Sequence, residues 1–594
     1  MVAKKKQNRA IFAIIGDGFS RKLWFIACFW YLCGQTKKFI KKHMKRILTL
    51  VCALMALNTA LACTNFIITR GASTDGSNMV SYSADSHQLY GALYKYNATG
   101  KYRAGDMIQI HEWDSGRYLG EIPQAPVTYS TVGNMNEHQL IIAETTFGGR
   151  PELETGKGIM DYGSLIYVAL QRTRTAREAI EVIVDLANTY GYASSGESFS
   201  IADTKEAWIM ELIGKGERDK GIVWVARRIP DGMVCAHANQ ARITTFPLND
   251  PENCLYAPDV ISFAREMGYF NGADEEFSFS DAYAPLDFSA MRACEARVWS
   301  FYNKITSGME QYLDFAMGHN PNNRMPLWVK PTEKVSLKQT MDCMRDHYEG
   351  TPMDMTRPED AGAGGVGMAY RWRPMNFEVD GVKYLNERAI ATQQTGFWFV
   401  AQAREWLPDP VGGVLWFGVD DAATSPLTPI YCGVSKVPEC FSTENGSMLE
   451  YSDKSAFWLV NRVANFAYLR YNRIAGDIRK VIDEWENERI AELAEIDAKA
   501  AAKFARRPKR AIRYTTKYSI RTAEKLFAKW QNLDKYLLVK YIDGNIKAET
   551  EEGFKSNGHD PRIPGDIIFE GYGEAWKRAV AESDKNGTLR VVEY

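Results

Sequence analysis

Short apolar runs bounded by turn residues dominate the first half of the chain. "TNFIITRG" (64–71) sets Phe66, Ile67 and Ile68 in a row before the turn chemistry of "GASTDGS", and "NMVSYSADS" (78–86) reads as the returning strand. Residues 63–86 are therefore predicted as a hairpin-like opening. "TYSTVGNMN" and "QLIIAETTFGG" carry a second pair of strand signals, and "SFSIADTKEAWIMELIG" and "GIVWVARRIPDGMVCAHANQARI" carry further strands with turns between them. Between these lies "MDYGSLIYVALQRTRTAREAIEVIVDLANTYG", whose apolar residues recur at helical spacing and predict two helices. Residues 287–348 read as mostly helical and 361–435 return to strands and turns. The mixture predicts a layered α/β architecture rather than a pure bundle or sandwich.

Beyond "KSAFWLVNRVANFAYLRYNRI" the pattern is helical and charge-rich through "EWENERIAELAEIDAKAAAKFARR", and its apolar positions thin out. Two readings fit: a solvated helical arm, the commoner case, or the dimerisation surface of a homo-oligomer. The organisation expected is a main domain over 63–450 and a helical C-terminal region over 451–594.

Charge is unevenly placed along the 594 residues. Residues 1–62 hold 12 Lys and Arg and a single acid, Asp17; the remainder holds 60 basic and 72 acidic residues, a net of -12. Such a balance excludes a nucleic-acid binder. Met44-Lys45-Arg46, the apolar run Ile47–Leu57 and the small residues Ala60 and Ala62 read as a signal peptide over 44–62, cleaved before Cys63. Residues 1–43 read as an upstream extension outside the native product. The remaining chain has no run of about 18 apolar residues. It is expected to be exported, periplasmic or secreted, without stable membrane insertion.

Cleavage there would make Cys63 the N-terminal residue. A cysteine with a free α-amine carries its own general base, because the amine's reference pKa of about 7.7–8.0 lies close to the thiol's 8.5. Its thiolate can attack a carbonyl and its amine can protonate the leaving nitrogen, so no histidine is required. The rival is a lipoprotein cysteine. Ala60 three residues before it, and a strand beginning within three residues after it, count against a lipid tether. A nucleophile of this type needs a carboxylate to orient the amine; Asp85 on the returning strand suits that role, and a turn-capping aspartate is the plain alternative. Seven cysteines follow the cleavage site: Cys63, Cys235, Cys254, Cys294, Cys343, Cys432 and Cys440. The odd number implies at least one free thiol, and spacing does not reveal pairing of the other six. Asp346, His347 and Glu349 in "RDHYEGTPMD" read as helix-end caps rather than metal ligands, and Asn136-Glu137 and Asp420-Asp421 as turn and capping positions. No cofactor and no metal is expected.

"CTNFIITRGASTDGSNMVSYSADSH" resembles the N-terminus of the dipeptidase A family, cysteine peptidases of the N-terminal-nucleophile hydrolase superfamily related to bile-salt hydrolases and penicillin V acylases. The likeness continues in order through "GNMNEHQLIIAETTFGG", "GESFSIADTKEAWIMELIG", "VCAHANQARI", "CEARVWSFYNKI", "MRDHYEGTPMDMT" and "NERAIATQQTGFWFVAQAREWLPDPVGGVLWFGVDDAATSPLTPIYCG". The resemblance implies an α+β fold, a four-layer αββα sandwich of two antiparallel sheets. It implies Cys63 as nucleophile, Asp85 as holder of its amine, Asn239 as oxyanion donor and Arg297 as the active-site arginine, acting on small peptides. One departure stands out: Tyr82 and Ser83 in "YSAD" occupy the places of the arginine and asparagine of the relatives' R-N-x-D, so another group must do that arginine's work. Two further functions are kept beside dipeptide hydrolysis through a thioester. One is an amidase acting on a conjugated acyl-amino acid or a β-lactam; the other is a lipid-anchored binding protein.

Overall fold

The computed structural model describes residues 63–98, 100–357, 361–374 and 376–593. The signal-peptide and upstream readings over 1–62 lie outside them. The opening hairpin forms as predicted: strand β1 (Thr64–Ile68) pairs antiparallel with β2 (Asn78–Asp85), Phe66 opposite Ser81, and every residue of both is buried. The next long strand is β3 (Ile141–Gly148); Thr131–Val132 and Met135–Asn136 pair only briefly beside it, so "TYSTVGNMN" yields two short strands rather than one. Helix α1 (Tyr162–Arg172) is capped by Asp161, whose carboxylate accepts from the Ser164 N–H at 3.0 Å. Helix α2 (Ala176–Tyr190) opens with a reciprocal capping box between Thr175 and Glu178. Strands β4 (Gly196–Ala202), β5 (Ala207–Gly214), β6 (Ile222–Arg228) and β7 (Val234–His237) follow.

The stretch predicted as mostly helical, 287–348, is only partly so. Helix α3 (Ala296–Ile305), entered through a π-helical turn at Ala290–Glu295, and α4 (Leu337–Cys343) are separated by loops and by the short strand Trp328–Val329. Strands β8 (Thr395–Ala403), β9 (Val414–Val419) and β10 (Thr428–Tyr431) complete the core, and helices α5 (Ala456–Tyr468), α6 (Tyr471–Arg506) and α7 (Pro508–Tyr541) follow.

These strands form two large antiparallel sheets. One runs Trp328–Val329, β7, β1, β2, β8, β9, β10; the other runs Cys254–Tyr256, β6, β5, β4, β3 and then the short strands Met135–Asn136, Thr131–Val132 and Lys95–Tyr96. β1 and β2 of the first sheet face β3 of the second, α1 and α2 pack on the second sheet, and α3, α4 and α5 pack on the first. Strands buried on both faces explain the near-continuous apolar runs in the sequence. A polar seam joins the two sheets. His237 on β7 bonds Thr145 Oγ1 through Nδ1 and Ser200 Oγ through Nε2, both at 2.7 Å. Burial lowers its pKa to about 3, so it is neutral. All seven described cysteines are free thiols.

The expectation of a solvated C-terminal arm is corrected. α6 and α7 pack against each other and against β10, burying Ile474, Ile478, Ile482 and Trp485 of α6. The apolar positions thin out because part of the docked face is charged: Glu486 binds Arg345, and Asp497 binds Arg404. A polar-looking helix is thus buried through pairing. No helix among the described residues is long and apolar enough to cross a membrane.

Candidate active site

The alternation of β1 sends its side chains to opposite faces. Phe66 points outward and stacks on Phe301 of α3, ring centroids 3.8 Å apart at an interplanar angle of 6°. Arg297 lies one turn before Phe301, on the same helical face, and therefore reaches the start of β1. Its guanidinium donates to the Cys63 carbonyl (2.6 Å), Thr64 Oγ1 (2.8 Å), the Ala238 carbonyl (3.0 Å) and Asn239 Oδ1 (2.9 Å). Arg297 is 1% exposed and so is no surface arginine, although its helix is amphipathic.

Asn239 follows β7 and takes a left-handed backbone, φ 64°, which asparagine tolerates better than most residues. Its side-chain amide donates to the Thr146 carbonyl at 2.7 Å while its oxygen accepts from Arg297. The side chain is thereby held between the two sheets.

Asp85 ends β2 opposite Thr395, next to a register shift in β8. Its carboxylate accepts from Thr395 Oγ1 (2.7 Å) and Ser83 Oγ (3.1 Å) and forms an ion pair with Arg388. Burial pushes its pKa up, and the Arg388 charge is the chief influence opposing that. The Asp85 backbone N–H bonds the Cys63 sulfur. Four residues far apart in the chain are thus gathered at one end of β1: Cys63, Asp85, Asn239 and Arg297.

The thiol itself points between the sheets. Cys63 Sγ donates toward Glu144 Oε1 at 3.5 Å and Tyr82 Oη at 3.8 Å, and Tyr82 Oη donates to the same Glu144 oxygen at 2.5 Å. Burial, then the charges of Glu144 and Asp85, push the thiol's pKa well above its usual value. Such a sulfur holds its proton until a base removes it. Asn65 sets the position of Glu144: with its amide oriented to satisfy both groups, it donates to the Glu144 carbonyl (3.0 Å) and accepts from the Glu144 N–H (3.1 Å).

Glu144, Arg388 and Thr395 escaped the sequence reading. Glu144 had a legible signal, an acid inside the apolar run "LIIAETTF", where a buried strand was predicted. Arg388 and Thr395 had none, since they reach Asp85 across 300 residues of chain. Tyr82 reaches Glu144, and the cation beside Asp85 is Arg388. Asp346 is met by Lys304 (2.8 Å) and Ser300, and His347 Nδ1 lies 3.2 Å from Glu349. These three residues sit apart from the thiol's partners.

A cavity of about 300 Å³ opens on the far side of Tyr82, lined by aromatic residues including Tyr94, Trp113, Tyr162, Phe397 and Phe417. A largely apolar, aromatic-lined space of this size has the form of a small-molecule site.

Comparison with known proteins agrees with a hydrolytic site. The model of peptidase family C69 matches residues 102–484. A probable dipeptidase of Salmonella dublin is 23% identical over 420 residues, covering 66% of this chain and 86% of that protein. A probable dipeptidase A of Streptococcus pyogenes serotype M3 is 23% identical over 476 residues, covering 74% and 90%. A probable dipeptidase B of Streptococcus pyogenes serotype M1 is 22% identical over 524 residues, covering 84% and 97%. The protein is a cysteine-type peptidase. The chain belongs to peptidase family C69. The matched segment takes in Glu144, Asn239, Arg297 and Arg388, and begins downstream of Cys63 and Asp85.

Proposed function

We propose that the protein is an exported dipeptidase, periplasmic or secreted, whose nucleophile is Cys63 made N-terminal by signal-peptide cleavage. The names of the relatives support the substrate class. The two facing antiparallel sheets with helices on both outer sides support an αββα N-terminal-nucleophile sandwich over 63–450, followed by a helical C-terminal region. The observation that carries the mechanism is the convergence of Cys63, Asp85, Asn239 and Arg297 at the start of β1.

In this mechanism the Cys63 α-amine takes the thiol proton as sulfur attacks the carbonyl carbon of the scissile amide. Asp85 orients the amine, and the Asn239 amide, held by Arg297 and Thr146, donates to the oxyanion. The C–N bond breaks, the leaving nitrogen takes the proton from the α-ammonium, and a thioester remains on sulfur. Water then gives its proton to the amine and attacks the thioester, and the C–S bond breaks to release the acid. The raised thiol pKa suits this order, because sulfur is deprotonated only as the amine receives its proton. It also argues against the lipid-anchored reading: an acyl chain on this sulfur would have to fit between two sheets where Cys63 is 4% exposed.

The test is the intact mass and N-terminal sequence of the exported protein, followed by dipeptide hydrolysis by that form and by Cys63→Ser. An unmodified Cys63 start, with turnover lost in the variant, is expected. A lipid on Cys63, or full activity with residues left ahead of it, overturns the mechanism.

A further inference from the structure

Two acids beside the thiol have no basic partner. Glu144 and Glu197 are 1% and 0% exposed, and among the described residues neither forms an ion pair. Glu144 Oε1 takes the bonds from Tyr82 and Cys63, but its Oε2 meets no donor. Glu197 Oε2 accepts from Thr146 Oγ1 at 3.1 Å, and its Oε1 likewise meets no donor. Burial and the neighbouring Glu144 charge hold the Glu197 carboxyl protonated well above the usual range. The two carboxyls contact each other in a place shielded from water, with no basic side chain to balance them. A buried pair of acids that meets only hydroxyls, a thiol and each other is costly, and it calls for a cationic donor arriving with a ligand.

The position says which cation. When a thiol attacks the carbonyl of a dipeptide, the substrate's amino nitrogen is one carbon away from the attacked atom. Ordinary bond lengths and a near-attack separation of about 3–3.5 Å put that nitrogen roughly 3–5 Å from the sulfur. Glu144 Oε1 lies 3.5 Å from Sγ, within the same shell. The aromatic cavity is lined by Tyr82, whose hydroxyl bonds Glu144, and it offers space for a substrate side chain.

We propose that Glu144, backed by Glu197, is the seat of the substrate's N-terminal ammonium and restricts the enzyme to substrates with a free amine. This inference rests on the dipeptidase reading and adds the residue that makes an amine obligatory. A peptide with a blocked N-terminus would leave the buried charge uncompensated and press an acyl group against it.

The test compares Ala-Ala with propanoyl-Ala, the same molecule without its amine, in the wild-type protein and in Glu144→Gln. The wild type is expected to prefer Ala-Ala in kcat/KM by about 100-fold or more, the scale of a charge-assisted hydrogen bond in a buried site. Glu144→Gln is expected to lose about that factor more on Ala-Ala than on propanoyl-Ala, so that the preference between the two collapses. An equal loss on both substrates means that Glu144 serves the enzyme's own thiol or amine and overturns the proposal, as does a wild type indifferent to the amine. Where Glu144→Gln fails to fold, Glu144→Asp, which withdraws the carboxylate by one methylene, is read in the same way. Binding of the two compounds to Cys63→Ser by calorimetry separates this proposal from the function. Tighter binding of Ala-Ala that vanishes when Glu144→Gln is added, in a protein that hydrolyses no dipeptide, upholds the ammonium site and overturns the dipeptidase reading. Equal binding of the two compounds to Cys63→Ser overturns the ammonium site.

Discussion

Buried acids serve two different regions of this molecule in opposite ways. Where the helical hairpin docks on the first sheet, Glu486 receives Arg345 (2.5 and 3.2 Å) and the Leu427 N–H (3.0 Å). Asp497 there receives Arg404 (2.5 and 3.2 Å) and Tyr431 Oη (2.6 Å). Between the sheets, Glu144 and Glu197 are equally buried and meet hydroxyls, a thiol and each other, with no guanidinium. The first arrangement satisfies every charge and holds the hairpin in register. The second leaves acceptor oxygens open beside a thiol. The same residue type thus reports structure in one place and chemistry in the other, and the partner distinguishes them.

The largest expected effect is at the thiol. Cys63→Ser should lower kcat by about 10⁴-fold or more while the melting temperature stays near wild type, because oxygen replaces sulfur in nearly the same space. A steady-state assay with a thermal melt checks both halves, and a variant retaining activity would move the chemistry away from β1.

Arg404→Met comes next and acts on the other region. It strands Asp497 without its guanidinium and should cost about 3–5 kcal/mol of stability, read by urea denaturation. Glu144→Gln provides the contrast. It removes a buried carboxyl that has no basic partner and should change stability by no more than about 1 kcal/mol, towards stabilisation, although it damages turnover. If the two variants destabilise equally, the distinction between paired and open acids fails.

The smallest effect is a pH slope. Glu211 lies in β5, accepts from the Arg242 and Ile243 N–H groups, and burial raises its pKa from the ordinary 4.5 to about 8. The folded state then binds a proton that the unfolded chain releases, so this group's stabilisation is complete below pH 4.5 and is lost as pH rises towards 8. Melting temperatures between pH 5 and 8 should fall with pH in the wild type and fall less steeply in Glu211→Gln.

Much of this was legible in the chain. The opening hairpin, α1, α2 and the strands β4 to β6 follow from apolar spacing and capping residues such as Thr175 and Glu178, which act over a few positions. Cys63 stood out because it follows a cleavage signal, and Asp85 because it lies on the strand returning towards it. Glu144 could have been read from a charge inside a buried run. The docking of α6 could not, because its buried face includes charged residues that look solvated until Arg345 and Arg404 arrive from distant loops.

The sequence by itself determined the local elements and the residue types available for nucleophilic chemistry, since both depend on neighbours within a few positions. Tertiary structure alone decided that Arg297 grips the Cys63 carbonyl, that Arg388 pairs with Asp85, and that Glu144 faces the sulfur. Those contacts join segments 81 to 303 residues apart. Sheet register and the stacking of Phe66 on Phe301 set which atoms meet, and neither is written in any short stretch of the chain.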